Sequence, residues 1–242
     1  MGGSRVALVT GGAVRVGRAI SSALAQDGYR LVIHYNSSAG PAEELVEEIR
    51  ARGGDAVAIG ADLARADEVR RLARDAVDAF GGIDVLVNSA SVFPPERLEE
   101  TDEDLWDHTF AVNLKAPFFL IRHLAPTLRA RKGVVVNLED LAGIQAWGAY
   151  TAHGISKAGM AQLTRVAAHA LAPDVRVNGI APGTVLPPDS MDDGEVRRIA
   201  ETTPLRKNGS PDDVVRALRY LLSADFVTGD TLVVDGGRLL RG

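Results

Sequence analysis

The chain has 242 residues, of which 27 are Lys or Arg and 32 are Asp or Glu, giving a net charge of -5, and it contains no cysteine. This length, with 46% hydrophobic residues, suffices for a packed core and excludes collagen-like and disordered chains. The absence of cysteine excludes a disulfide framework, a thiolate zinc site, an iron–sulfur cluster and a cysteine nucleophile.

Charge and hydropathy also bear on location and partners. A pI of about 5.6 argues against nucleic-acid binding, which selects a strongly basic face. No apolar run approaches the roughly 18 to 20 residues that cross a bilayer. The first ten residues lead directly into a strand pattern, without the apolar region of a signal peptide. We therefore expect a cytoplasmic protein that binds neither nucleic acid nor membrane.

Short β-branched runs alternate with helical patterns along the chain. Apolar residues recur at helical spacing at Val16, Ile20 and Leu24, and again at Leu45 and Ile49. This alternation predicts an α/β fold with parallel strands and crossover helices. We expect one Rossmann-like, doubly wound domain over residues 1–242, with a seven-stranded parallel sheet and helices on both faces. The predicted strands are 6–10, 30–35, 56–60, 83–88, 133–138, 175–180 and 231–234.

Doubly wound sheets bind ligands in the crevice at the carboxyl ends of their strands. In this sequence the residues that follow the predicted strands are small, polar or glycine-rich, as a ligand-lined edge requires. These segments are 10–12, 34–38, 61–63, 88–91, 139–140 and 181–183. The sequence therefore predicts a ligand site at this edge before any motif is considered.

A glycine-rich segment, residues 10–18, follows the first predicted strand and opens the first helix. Glycines such as Gly11 and Gly17 allow a tight turn and close approach of the backbone, and a helix amino end offers free N–H groups to a pyrophosphate. A plain strand-to-helix turn is the alternative interpretation. The position of the glycine-rich segment between a strand and a helix favours dinucleotide binding.

The end of the second strand indicates which dinucleotide is bound. In NAD-binding domains an acid there holds the ribose and repels the extra phosphate of NADP. Here the segment is His34, Tyr35, Asn36, Ser37 and Ser38, with no carboxylate before position 43. Hydroxyl and amide groups without an anion favour NADP(H) over NAD(H).

Several segments resemble signatures of the short-chain dehydrogenase/reductase family along essentially the full length. They are residues 88–91, Asn113 at the family's helix-kinking position, residues 177–183 and residues 234–237. The resemblance supports the same fold and a cofactor site at the same sheet edge. The expected cofactor contacts are Gly11, Arg15, Val16, Gly17, His34, Tyr35, Asn36, Ser37, Ser38, Asp62, Leu63, Asn88, Ser89, Ala90, Ser91, Lys157, Pro182 and Gly183.

Within that family the chain most resembles pteridine reductases. Arg15 replaces the usual second glycine of the phosphate turn, and Asp140 stands where most of the family has Ser. This resemblance implies an NADPH-dependent reductase of a pterin, a dihydrofolate or a similar flat ring. The implied substrate contacts are Arg15, Ser91, Phe93, Asp140 and Tyr150, and the implied catalytic residues are Asn113, Asp140, His153 and Lys157.

The family's proton donor is a Tyr four residues before the Lys, but here that position holds His153. A spacing of four places His153 and Lys157 on one helix face. Tyr150 lies seven residues from Lys157, about 10.5 Å along a helix axis, which makes it a pocket wall rather than the donor. Lys157 disfavours the imidazolium and Asp140 favours it, so the sequence leaves the protonation state open.

Two alternative functions remain, and the replacement of the Tyr motivates the second of them. One is a general short-chain carbonyl or 3-oxoacyl reductase, and the other is an NADP-binding protein that has lost its chemistry with the Tyr. The remaining histidines show no ligand spacing, so we expect no metal. The resemblance further implies that residues from about 184 to 203 form a substrate lid, whose length fits a mobile loop. It also implies assembly as a homotetramer.

Overall fold

Seven parallel strands form one sheet in the computed structural model, which describes residues 4–187 and 191–241. Their order is β3-β2-β1-β4-β5-β6-β7, so β2 and β3 are added on one side of β1 and β4 to β7 on the other. This confirms the predicted doubly wound α/β fold. The strands are β1 (Val6–Thr10), β2 (Arg30–Tyr35), β3 (Ala56–Gly60), β4 (Val85–Asn88), β5 (Val134–Leu138), β6 (Arg176–Pro182) and β7 (Thr231–Val234).

Helices cover both faces of the sheet because its central strands are apolar on both sides. In β1, Val6 and Leu8 pack into one core layer, whereas Ala7 and Val9 pack into the other. The helices are α1 (Arg15–Gln26), α2 (Ala39–Ala51), α3 (Ala66–Phe80), α4 (Glu103–Phe110), α5 (Ala116–Ala130), α6 (Thr151–Leu171), α7 (Asp193–Glu201) and α8 (Pro211–Ser223). No helix in the described ranges is long and apolar enough to cross a membrane.

Three strands differ from their predicted limits, and one of them, predicted at 133–138, begins one residue later at Val134. The predicted strand 83–88 begins only at Val85, since the Ile83 N–H donates to the Thr127 hydroxyl instead of a neighbouring strand. The predicted strand 175–180 begins at Arg176 and continues to Pro182, because β7 offers two further pairing positions. The extension carries Pro182 to the sheet edge where the ligand site was expected.

The expected lid at 184–203 is not only a loop, because it contains helix α7. Asp192 caps this helix because its side chain accepts a hydrogen bond from the Glu195 N–H. The Glu195 carboxylate in turn accepts one from the Asp192 N–H. Such a reciprocal pair satisfies two free amide groups at a helix start. The segment expected to be a mobile loop therefore contains a helix over residues 193–201, and positions 188–190 lie outside the described residues.

Candidate active site

A cavity of about 480 Å³ opens at the carboxyl ends of β1, β2, β4 and β5. This is the edge that the sequence indicated. Most of the residues expected to bind cofactor or substrate line it. They are Gly11, Arg15, Val16, Gly17, His34, Tyr35, Asn36, Ser37, Ser38, Asp62, Leu63, Ser89, Ala90, Ser91, Phe93, Asp140, His153, Lys157 and Pro182.

The glycine turn packs tightly against its surroundings at two points. A Cβ on Gly17 would lie 2.0 Å from the Gly11 carbonyl oxygen, and one on Gly11 would lie 3.0 Å from the Ala90 Cα. Only glycine allows the start of α1 to approach the turn this closely. Val16 and Gly17 lie in the first turn of α1, where N–H groups have no intrahelical acceptor. The turn therefore presents an anion-binding helix terminus to the cavity.

Arg15 holds the first position of α1 with a left-handed backbone, φ 51°, which side-chain-bearing residues rarely adopt. Its guanidinium donates a hydrogen bond of 2.8 Å to the Leu186 carbonyl oxygen. Arg238 donates to the Thr184 hydroxyl from the other side, at 3.2 Å. Two arginines thus fasten the beginning of the segment that was expected to be the lid.

His34 is buried, and both of its ring nitrogens are engaged. Its Nδ1 accepts from the Gly11 N–H at 3.1 Å, and its Nε2–H donates to the Ala61 carbonyl oxygen at 2.9 Å. Burial lowers the pKa of His34, the bond to Ala61 opposing this, so the neutral ring is favoured. His34 lines the cavity but fixes the glycine turn to the ends of β2 and β3. Neither ring nitrogen of His34 is therefore free to bind a cofactor.

The end of β2 brings polar, uncharged groups to the cavity at Tyr35, Asn36, Ser37 and Ser38. Across from them, Asp62 uses its Oδ1 to accept from the Ala64 N–H, closing a turn after β3. A second phosphate on the ribose would therefore meet hydroxyl and amide donors at β2. The absence of a carboxylate at the β2 end is the feature that distinguishes NADP sites from NAD sites.

Asn88 lies beneath the cavity rather than on it. Its side chain is buried between β4 and β5 and donates to the Asn137 Oδ1 at 2.9 Å. Asn137 in turn donates to the Thr164 hydroxyl on α6. The chain of hydrogen bonds ties the sheet to the helix that carries His153, so Asn88 supports the site from below.

Asn113 stands in a π-helical turn, Ala111–Lys115, between α4 and α5. This irregular turn is the helix kink that the resemblance implied. The Asn113 Oδ1 accepts from the Val92 N–H at 2.8 Å, and its Nδ2 donates to the Val92 carbonyl oxygen at 3.0 Å. It also donates to the Ser156 hydroxyl. Asn113 lies behind the cavity wall and holds the loop after β4 against α6.

His153 is buried in the cavity wall and points one nitrogen at Asp140. Its Nδ1 lies 3.0 Å from the Val92 carbonyl oxygen, and its Nε2 lies 3.6 Å from the Asp140 Oδ2. Within the described ranges the Nε2 has no hydrogen-bond partner. Asp140 keeps its other oxygen on the Ala142 N–H at 2.8 Å. The pair joins a buried imidazole to a carboxylate that reaches the cavity.

Lys157 lies one helical turn after His153 and is also buried. Its ammonium donates to the Leu138 carbonyl oxygen at 2.7 Å. Burial lowers the pKa of Lys157, while the carboxylates of Asp140 and Glu139 raise it by a smaller amount. The Lys therefore sits at the cavity as an anchored cation with a reduced preference for charge.

Phe93 forms the aromatic part of the cavity. Its ring stacks on Tyr150 with centroids 4.1 Å apart and planes 11° apart, and it meets His153 edge-on at 4.4 Å. Phe93 remains 44% exposed. Tyr150, expected as a substrate contact, backs Phe93 at the start of α6 and is not among the residues that line the cavity. Gly183 likewise lies outside the lining, with its N–H bonded to the Val234 carbonyl oxygen.

Two buried carboxylates near the site, Glu96 and Glu139, were not among the expected catalytic, cofactor or substrate residues, although the segment 139–140 was expected at this edge. Glu96 caps α6, accepting from the Ala152 N–H at 2.7 Å, and its backbone N–H donates to the Ala149 carbonyl oxygen. Burial raises the pKa of Glu139, against the hydrogen bonds from Thr164 and Thr231. No local spacing links Glu96 to α6, since the two meet across more than fifty positions, 96 and 152. Within the described residues, no three His, Asp or Glu side chains cluster to hold a metal ion.

The sequence and fold of this chain are similar to those of known proteins over nearly its whole length. A family model described as enoyl-(acyl carrier protein) reductase matches residues 12–238. A curated relative, the 3-oxoacyl-(acyl-carrier-protein) reductase FabG of Staphylococcus epidermidis, is 35% identical over 240 residues, covering 97% of this chain and 98% of that protein.

Two solved structures are also similar to this chain over nearly its whole length. FolM alternative dihydrofolate reductase 1 from Brucella suis, in complex with NADP, has a TM-score of 0.92 and 36% identity, covering 98% of this chain and 95% of that chain. A blue fluorescent protein from a metagenomic library, in complex with NADPH, has a TM-score of 0.90 and 30% identity, covering 97% of each chain.

Proposed function

Because this chain belongs to the short-chain dehydrogenase/reductase family and is an NADP-dependent oxidoreductase, we propose that it reduces a C=N bond of a pterin or dihydrofolate-like ring. The observation that carries the proposal is the meeting of Arg15, Phe93 and Asp140 at one cavity. An exposed aromatic face suits a flat heterocycle, and a carboxylate suits the ring's N–H donors.

NADP(H) fits the remaining part of the cavity. The approach of Gly17 to Gly11 leaves a cradle that a Cβ would fill, as close passage of a pyrophosphate requires. The uncharged β2 end accommodates a ribose phosphate. When bound there, NADPH supplies the hydride. Lys157, Ser91 and Phe93 line the same cavity, in which the nicotinamide ribose and the substrate ring would meet.

The chain's own residues then have separate tasks. Phe93 orients the ring by stacking, with Tyr150 behind it. Asp140 and His153 hold a proton beside the ring atom that gains charge. Lys157 contacts the ribose while the Leu138 carbonyl group restrains its ammonium. Asn113 keeps the loop at Val92 in place.

The decisive experiment is steady-state oxidation of NADPH with dihydrobiopterin, dihydrofolate and a simple ketone. We expect turnover of at least one pterin with kcat/KM well above that of the ketone. The same assay with NADH in place of NADPH should give a much lower rate. Brisk ketone reduction without any pterin turnover would contradict the substrate assignment.

Reduction of a 3-oxoacyl thioester is the second candidate, since a curated relative 35% identical to this chain is named a 3-oxoacyl-(acyl-carrier-protein) reductase. Its weakness is His153, which stands where that chemistry relies on a Tyr in the family pattern. An acetoacetyl thioester in the same assay distinguishes the two functions. A preference for the thioester would favour this candidate.

A protein that binds NADP without catalysis is the third candidate, and the Tyr replacement also favours it. NADPH fluorescence titration of the wild type beside Asp140→Asn and Lys157→Ala separates binding from turnover. Tight binding with no turnover that depends on Asp140 would support this candidate. His153→Tyr then tests whether a phenol restores reduction of simple carbonyl compounds.

We propose further that the chain assembles as a homotetramer and acts in the cytoplasm. A groove of about 860 Å³ between α4, α5 and α6 exposes Phe118 and Val166, and a second copy would cover them. Light scattering coupled to gel filtration measures the mass directly. A Phe118→Glu variant should shift that mass toward the monomer if this face is the contact.

A further inference from the structure

We propose that the Nε2 of His153 carries the proton delivered to the substrate and that Asp140 keeps this nitrogen protonated. This inference rests on the proposed function for the substrate it serves. The contacts on which it is based lie within the protein and do not depend on the substrate. The Nε2 is buried, without a hydrogen-bond partner in the described part of the chain, and faces a carboxylate oxygen at 3.6 Å.

The tautomer of His153 follows from its other nitrogen. The Nδ1 lies 3.0 Å from the Val92 carbonyl oxygen, which can only accept a hydrogen bond. The Asn113 Nδ2 lies 3.4 Å from the same nitrogen, but it already donates to the Val92 carbonyl oxygen and to the Ser156 hydroxyl, so the Nδ1 carries a proton in both the neutral and the charged ring. Asn113 fixes Val92 through both of its backbone polar groups, so this acceptor cannot turn away. The nitrogen that is protonated and deprotonated is consequently the Nε2.

Charges around the ring favour a proton at that position. Asp140 approaches from the end of β5, and among the described residues no other carboxylate lies within ion-pair distance of the Nε2. Glu96 is occupied with the Ala152 N–H, and Glu139 with Thr164 and Thr231. The Lys157 ammonium, on the same helix, is directed to the Leu138 carbonyl oxygen.

Uncharged groups complete the surroundings of the ring. Phe93 lies edge-on to it, Tyr150 lies behind Phe93, and Ser156 bonds to Asn113 and to the His153 carbonyl oxygen. His108 also lines the cavity, but it is exposed to solvent on α4. Asp140 is thus the one charged group within ion-pair distance of this imidazole among the described residues.

The chemical step balances with these two residues. A ring C=N bond that receives a hydride at carbon, from NADPH, gains a C–H bond, and the π electron pair moves to nitrogen. That nitrogen takes the proton as the Nε2–H bond of the imidazolium breaks, which leaves neutral imidazole with Nδ1–H. Asp140, whose side chain is 24% exposed, passes a proton from solvent back to the Nε2.

The first test is nuclear magnetic resonance of the apoprotein labelled with ¹⁵N in histidine, titrated from about pH 5 to 8. The His153 signals are assigned by their loss in His153→Gln. We expect the neutral ring to keep its proton on Nδ1 and to lose it from Nε2. In Asp140→Asn and Asp140→Ser, the midpoint of this change should move to lower pH. Ser keeps an oxygen for the Ala142 N–H, so it separates charge from capping.

The second test is the pH profile of kcat in the same proteins. Turnover should fall as the pH rises through the midpoint seen for Nε2, and the fall should move with that midpoint in the Asp140 variants. His153→Gln should lose roughly 10²- to 10⁴-fold in kcat with little change in NADPH affinity. His169→Gln, exposed on the same helix, is the matched control and should behave as wild type.

A neutral ring protonated on Nε2, or a midpoint that both Asp140 variants leave unchanged, would overturn the inference. These results do not depend on which substrate is reduced. If the spectra behave as expected but no pterin is turned over, the proposed function fails while the assignment of the proton to Nε2 stands.

Discussion

Phe93 lies flat against Tyr150, with ring centroids 4.1 Å apart, and one edge of the same ring meets His153. The aromatic surface offered to a substrate is thus built onto the proton-bearing residue. A flat ring that stacks on the free face of Phe93 would be held at a fixed distance from the His153 Nε2. Substrate orientation and proton delivery depend on one packed group of side chains.

Phe93→Ala should therefore raise KM for a flat heterocyclic substrate more than it lowers kcat. Aromatic stacking contributes about 0.5–1.5 kcal/mol beyond buried area, which corresponds to roughly a 2- to 13-fold change in KM. Tyr150→Phe keeps the stacked ring and is the matched control. Equal losses in Phe93→Ala and Tyr150→Phe would show that the stack does not orient the substrate.

Gly17→Ala should abolish NADPH binding, because its Cβ would lie 2.0 Å from the Gly11 carbonyl oxygen. The first turn of α1 would have to move away from the phosphate-binding loop. Gly40→Ala is the control, since a Cβ at Gly40 meets nothing within 4 Å. It lies in α2 and should be neutral or stabilising by up to about 1 kcal/mol. Fluorescence titration and thermal unfolding measure both effects.

Stability should fall as the pH falls below 6.5, the ordinary pKa of the histidine side chain, through His34. Burial lowers the folded-state pKa of His34, so the unfolded chain binds the extra proton first. Stability therefore rises with pH across the window between the lowered pKa and 6.5. Urea unfolding at a series of pH values measures this slope.

The His34→Gln variant separates this effect from that of other groups, including His123, whose pKa is also lowered by burial. We expect the variant to be less stable at neutral pH, because the bonds to Gly11 and Ala61 are disturbed, but to show a smaller loss on acidification. An unchanged slope would assign the acid sensitivity to another residue.

Lys157→Met should separate stability from activity. The ammonium is fully buried and its pKa is lowered, so the folded protein carries a desolvated charge. An apolar side chain at this position removes the cost of burying the charge, so we expect Lys157→Met to be neutral or stabilising. We expect a kcat loss of about 10²-fold or more.

The pH dependence provides the check on Lys157. With a folded pKa below 10.5, wild-type stability should rise with pH through the window beneath that value, and Lys157→Met should lack this rise. Urea unfolding midpoints and steady-state rates on the same samples are the measurements. A strongly destabilised variant would mean that the bond to Leu138 outweighs the cost of burial.

The alternation of strands and helices was sufficient to predict the sheet, because parallel strands buried on both faces read as apolar runs. Strand limits were less predictable where tertiary partners intervene, as Thr127 does at Ile83. Helix α7 was missed because its polar sequence has few apolar positions, and its cap at Asp192 was not recognised as a helix start.

The candidate site was predictable where its residues directly follow strands, because parallel strands place their carboxyl ends at the same edge of the sheet. Asp140, His153 and Lys157 were implied by the family resemblance, and the cavity does contain all three. The partners of His153 were not predictable, because Val92 contributes a backbone carbonyl from a distant segment. Glu96 was missed for the same reason: only the folded chain brings it to the start of α6.

The contacts of Glu96 limit how the loop that bears Phe93 can be redesigned. Its side chain and backbone join the loop that bears Phe93 to the first turn of α6, and the intervening Pro94 and Pro95 limit how far that loop can bend. Inserting or deleting residues between Phe93 and Glu96 would shift the aromatic ring along the helix and misalign it with His153. New specificities are therefore better sought by changing side chains within this loop than by transplanting loops of other lengths.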